Sequence, residues 1–163
     1  MEQERLKFCV ERYDHYYDSI NNKATVFLTL GTFITGGLVA GYPTLLEKVN
    51  CGICIHLLMG LLLSLGLAIM IIVAWTSVPF LKSGGNSLYY FNDISAIPMS
   101  DFGNYSQSVT EADEILDLRE QVYQLAAGLS GKFKKLRIAG YLLITQFFLF
   151  IPLIIVIISN LKK

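Results

Sequence analysis

The sequence predicts an all-α membrane protein with three transmembrane helices and a cytoplasmic helical stalk, the stalk being formed by the N-terminal helix and the helix preceding the third span. Three observations carry this. Charged residues make up only 16% of 163 and hydrophobic residues 53%, where a soluble domain carries about 25% charged. Three apolar stretches reach the roughly 20 residues that a helix needs to cross ~30 Å of hydrocarbon. The flanking polar segments keep apolar residues at spacings of three and four, the period of a helix. The rest of the chain is too short to cover three such helices on every side, which argues against a soluble core.

Residues 1–23 form the first element. Leu6, Val10, Tyr13, Tyr17 and Ile20 make one stripe, and with no Pro before Pro43 and no Gly before Gly31 the helix can continue into the first span, 24–46. The mixed charges before that span and the lack of a small-residue cleavage site mark it as retained, not as a signal peptide. It is the least hydrophobic span. Thr25, Thr29, Thr32 and Gly36 share a face, and Gly37 and Gly41 give a small-xxx-small pattern. Thr32, Gly37 and Gly41 are therefore candidates for close helix association in lipid, where apolar burial drives little. Hydroxyls lining a wet path are the alternative.

The second span, 53–78, is interrupted by His56, Ser64 and small residues. Composition changes at Pro79, opening a segment, 79–137, in which Ser83-Gly84-Gly85-Asn86-Ser87 reads as a turn or loop. Leu88, Tyr89, Tyr90, Phe91, Ile94, Ile97, Phe102 and Tyr105 are too apolar for a disordered linker and should fold against something. Ser108 and Glu111 fit a capping box, so a helix is expected from about 109. Its stripe is Ile115, Leu118, Val122, Leu125, Leu129, Phe133 and Leu136, acidic early and basic late, as the helix dipole and anionic headgroups favour. Its partner is the N-terminal helix. The third span, 138–160, contains Gln146, which should hydrogen-bond between helices. Arg5, Arg12 and Lys23 before the first span and Lys132, Lys134, Lys135 and Arg137 before the third put the N-terminus and the central segment inside. Lys162 and Lys163 weigh the other way.

The thirteen basic and thirteen acidic residues balance, unlike a nucleic-acid binder. No phosphate-binding loop, dinucleotide fingerprint, metalloprotease helix or nucleophile elbow occurs, so no catalytic residue is assigned and the chain reads as no enzyme. Cys51 and Cys54 with His56 are a single pair, too little to assign a metal; outside the cell they would pack, oxidise or cross-link a neighbour. Cations Arg5, Arg12, Lys23, Arg119 and Lys132 beside Tyr13, Tyr16, Tyr17, Tyr89, Tyr90 and Phe91 supply what a nucleotide needs, charge for phosphate and a flat face for the base. The same residues also suit a solvated helix face and membrane anchoring.

In order and spacing the chain resembles the transmembrane effectors of the bacterial Pycsar antiphage systems. The resemblance rests on the polar approach Asp18-Ser19-Ile20-Asn21-Asn22-Lys23-Ala24, the aromatic stretch Leu88-Tyr89-Tyr90-Phe91-Asn92-Asp93-Ile94, and the helix Asp117-Leu118-Arg119-Glu120-Gln121-Val122-Tyr123-Gln124-Leu125-Ala126 followed by Lys132-Phe133-Lys134-Lys135-Leu136-Arg137. It departs at Asn92, where the family has Gly, and at Phe133, where it tends to have Tyr. The resemblance implies an antiphage effector of the bacterial inner membrane. A pyrimidine cyclase would supply cyclic CMP or cyclic UMP, an activating ligand and not a cofactor, and the effector would impair the membrane in abortive infection. The expected ligand residues are then Arg119 and Lys132 for the phosphate and Tyr89 and Tyr90 for the base, in a homo-oligomer within the bilayer that needs no cofactor. The alternatives are a nucleotide-independent channel or holin-like protein, and a structural membrane adaptor.

Overall fold

The structure, a computed structural model, describes residues 1–50, 52–78 and 87–162. Of these, 89% are helical, and no strand occurs among them. The helices are α1 (Glu2–Lys48), α2 (Ile53–Ser77), α3 (Phe91–Ser95), α4 (Met99–Ser108) and α5 (Glu111–Ser159). The run Pro79 to Asn86 lies outside the described residues, as does Cys51. Two compact units result, one of residues 1–19 and 79–132, the other of residues 20–78 and 133–163. Both α1 and α5 contribute to each.

In the first unit α1 and α5 run parallel. Glu2 and Gln3 meet Arg119 and Glu114, while further along Tyr17 Oη donates to the Leu125 carbonyl at 3.0 Å and lies under Lys132. Leu6, Leu118 and Leu129 are buried along this seam. One residue of the stripe expected on α5 is exposed. Phe133 is 38% exposed, and Lys132 takes its place inward at 8%. With 3.6 residues per turn, an apolar row stepping from Leu129 to Leu136 passes between residues 132 and 133. The long stem of Lys132 can bury while its ammonium rests over the Tyr17 ring, 5.6 Å from the centroid.

The capping box also falls two residues later than expected. Thr110 N–H and Oγ1 donate to Asp113 Oδ2 at 3.1 and 2.6 Å, and Asp113 N–H donates back to Thr110 Oγ1 at 3.3 Å. Ser108 instead donates to the Tyr105 carbonyl at 3.0 Å as the last residue of α4. A helix ending on Ser108 leaves the reciprocal pair one turn on to start α5.

The second unit contains three helices long and apolar enough to cross a membrane, with only 22%, 28% and 17% of their most apolar windows buried. Most of that apolar surface therefore faces outward, which water would not tolerate and lipid does. Leu38, Val49, Ile55, Met59, Leu62 and Leu153 form the shared core. Gln146 is fully buried and donates to the Leu62 carbonyl of α2 at 3.1 Å, an interhelical bond of the kind worth on average about 0.6 kcal/mol in lipid. At one end Lys135 sits 4.7 Å over the Trp75 ring, the pairing of cation and aromatic typical of a membrane interface. At the other, Lys162 donates its ammonium to the carbonyls of Leu46 and Glu47. That contact gives a basic residue at this end a structural use: it caps the negative end of α1.

Candidate ligand-binding site

The first unit contains a cavity of about 470 Å³, within the roughly 300–1,000 Å³ of small-molecule sites. Three segments wall it. Lys7, Val10, Glu11 and Asp14 of α1 lie at the spacing of one helix face, Leu118, Gln121 and Leu125 do so on α5, and Tyr89 and Tyr90 come from the approach to α3 and Phe91 from its first position.

The aromatic wall is pinned by Ser87. Its hydroxyl donates to Asp117 Oδ1 at 2.7 Å and accepts from the amides of Tyr89 and Tyr90 at 3.1 Å and from Gln121 Nε2 at 3.0 Å. Asp117 Oδ2 takes the Leu88 amide at 2.8 Å, and Asp93 the Ser87 amide at 3.0 Å. Without these acceptors the backbone from 87 to 90, which belongs to no helix, would leave its amides unpaired against α5. Tyr90 and Phe91 meet edge to face at 5.2 Å. Tyr89 Oη donates to Glu114 Oε1 at 3.2 Å, and burial, then the charge of Glu114, pushes its phenol above the ordinary tyrosine value, so it stays a neutral donor.

Tyr89 and Tyr90, expected from the sequence, both line this cavity; Arg119 and Lys132 do not. Arg119 makes a two-pronged bond to Glu2, Nε to Oε1 at 2.9 Å and a terminal nitrogen to Oε2 at 3.0 Å. That bond holds the Glu2 carboxyl below its usual value and raises the guanidinium. Lys7, Glu11, Asp14 and Gln121 were not singled out by sequence reasoning. The i, i+4, i+7 spacing of Lys7, Glu11 and Asp14 on α1 was visible, but a polar face is ordinary on a helix and becomes a wall only when a second element covers it. Chemically the cavity offers flat faces, one ammonium, two carboxylates and one amide able both to donate and to accept.

In the second unit, Thr32 Oγ1 contacts Met70 Sδ at 3.5 Å. Among the described residues, a methyl group added at Gly37 or Gly41 meets no atom within 4 Å. The close approach falls on Gly66 of α2, where a methyl would collide with Thr35 Oγ1. His56 Nδ1 is 2.8 Å from Tyr42 Oη, and Cys54 is exposed.

No curated protein and no solved structure matches the chain. A family model described as the Pycsar effector protein domain matches residues 5–159. That match spans the cavity, its Ser87 pin and all three apolar helices, and the chain belongs to the Pycsar effector family.

Proposed function

We propose that this antiphage effector is switched by a cyclic pyrimidine nucleotide, cyclic CMP or cyclic UMP, bound in the cavity of the first unit, and that the bound state impairs the inner membrane and aborts infection. The family match carries the reading, since membership implies coupling to a cyclase and a cyclic nucleotide signal. The cavity supports it: the base stacks on Tyr89, Tyr90 or Phe91, Lys7 answers the single phosphate charge, and Glu11, Asp14 and Gln121 accept from ribose hydroxyls or the base edge. Arg119 and Lys132 serve as outer cations. A phosphate competing for Arg119 would release Glu2 and with it the first turn of α1. The protein acts by binding and rearrangement and not by catalysis, and requires no cofactor.

The distribution of Lys and Arg supports a cytoplasmic N-terminus and first unit, where a soluble messenger would be met. The ligand acts as a switch only if it binds the damaging state more tightly than the resting one, and a full reversal takes about 5.5 kcal/mol of difference. Sharing that among subunits of a homo-oligomer makes it attainable for a small ligand, and the open faces of Gly37 and Gly41 are the candidate contacts between copies. Calorimetric titration of purified protein tests the site. Cyclic CMP or cyclic UMP should bind and cyclic AMP should not, with affinity lost in Lys7→Ala and Tyr90→Ala and reduced less in Arg119→Ala. Undiminished binding in Lys7→Ala and Tyr90→Ala would move the site elsewhere.

A further inference from the structure

Most hydroxyls in the apolar helices look after themselves: Thr25, Thr29 and Thr145 each donate to the carbonyl four residues back at 2.9–3.0 Å. Thr35 does not. It is 8% exposed, and its Oγ1 has no hydrogen-bond partner among the described residues. It turns instead toward α2 at Gly66, where an added methyl would strike it and would also stand 3.1 Å from Gln146 Nε2. Gln146, fully buried on α5, uses its Nε2 on the Leu62 carbonyl and leaves Oε1 unpartnered among the described residues. Three helices thus bring a hydroxyl, a missing side chain and an amide to one point, near the middle of each apolar stretch. A polar group at that depth carries a large desolvation cost unless something bonds it.

We propose that Thr35, Gly66 and Gln146 form a water-binding site at the mid-level of the apolar bundle, and that this site is where the bundle first hydrates when the effector opens the membrane. The chemistry fits water. Gln146 Oε1 accepts one of its protons and Thr35 Oγ1 accepts the other or donates to its oxygen, while Gly66, having no side chain, lets the Thr35 hydroxyl stand against α2 beside the amide. A site with two or more polar partners retains water where buried apolar side chains of the same helices, such as Leu62, Ile69 and Leu143, would not. The second half of the proposal rests on the membrane-impairing function argued above; the first half does not.

The test uses full-length protein in lipid bilayers, with nitrogen-labelled side-chain amides and polarisation transfer from water read at the Gln146 resonance, which Gln146→Leu identifies by its loss. Transfer is expected in the wild type and in Thr35→Ser, and several-fold weaker in Thr35→Val, which keeps size and shape and removes the hydroxyl. Transfer absent at Gln146 while Asn50 and Asn160 show it normally, or unchanged in Thr35→Val, overturns the site. Dye release from vesicles addresses the second half: Thr35→Val should release several-fold less than wild type once activated. Equal release overturns the hydration role and leaves the site standing. A wild type that releases no dye under any condition removes the function on which that role rests, while the water measurement still decides the site.

Discussion

Ser87 joins four partners with one hydroxyl, and nothing replaces it if that hydroxyl is removed. Ser87→Ala should therefore loosen the aromatic wall, costing about 1–3 kcal/mol, the range for stranding buried polar groups. Faster proteolysis between residues 87 and 110, with the three spans still protected, is the expected readout. Acid should act at two carboxylates. Glu2 is held down chiefly by its hydrogen bond from Arg119, and Asp113 by that from Thr110. A lowered carboxyl pKa stabilises the fold above the unfolded value and loses that contribution as pH falls through the folded one. Helicity at the starts of α1 and α5 should thus hold across neutral pH and decline only below about 4, modestly because both groups are exposed. A decline centred near neutrality would point to a histidine instead. At this scale little was legible beforehand. Tyr89 and Tyr90 stood out by type, but Ser87 looked like one more turn residue, because its value lies in Asp117 and Gln121, which only the fold brings to it.

At the scale of elements, α5 carries the information of the fold in its phase. Leu118 is 2% exposed and Leu116 58%, so Leu118→Ala should cost about 2–5 kcal/mol and Leu116→Ala within about 0.5, read by thermal unfolding of the first unit. Leu125→Asp and Leu129→Asp should raise protease sensitivity in the same region, and unchanged sensitivity would deny the pairing of α1 with α5. The long helices were legible because a 3.6-residue apolar period is a local signal repeated many times. Phase is harder to keep: one step of drift exchanged Lys132 for Phe133. The two-residue slip of the cap arose because a Ser-Glu and a Thr-Asp pair overlap, and only the end of α4 chooses between them. Helices α3 and α4 are too short to show a period, and Gly66 matters solely because Thr35 lies against it.

For the whole molecule, the two helices that help wall the cavity, α1 and α5, are each continuous with an apolar stretch long enough to cross a membrane. Self-association should be separable from folding. A methyl group added at Gly37 meets nothing within 4 Å among the described residues, so Gly37→Leu should leave thermal stability alone and lower the oligomer fraction by cross-linking in membranes; an unaltered oligomer would discard that face as the contact. The proposed nucleotide switch is tested most directly by dye release from liposomes carrying the purified protein, with cyclic CMP, cyclic UMP or cyclic AMP added on the side that the first unit faces. Release is expected with a cyclic pyrimidine nucleotide, none with cyclic AMP, and loss of the response in Tyr90→Ala. Release indifferent to nucleotide would contradict it and leave a holin-like protein in its place.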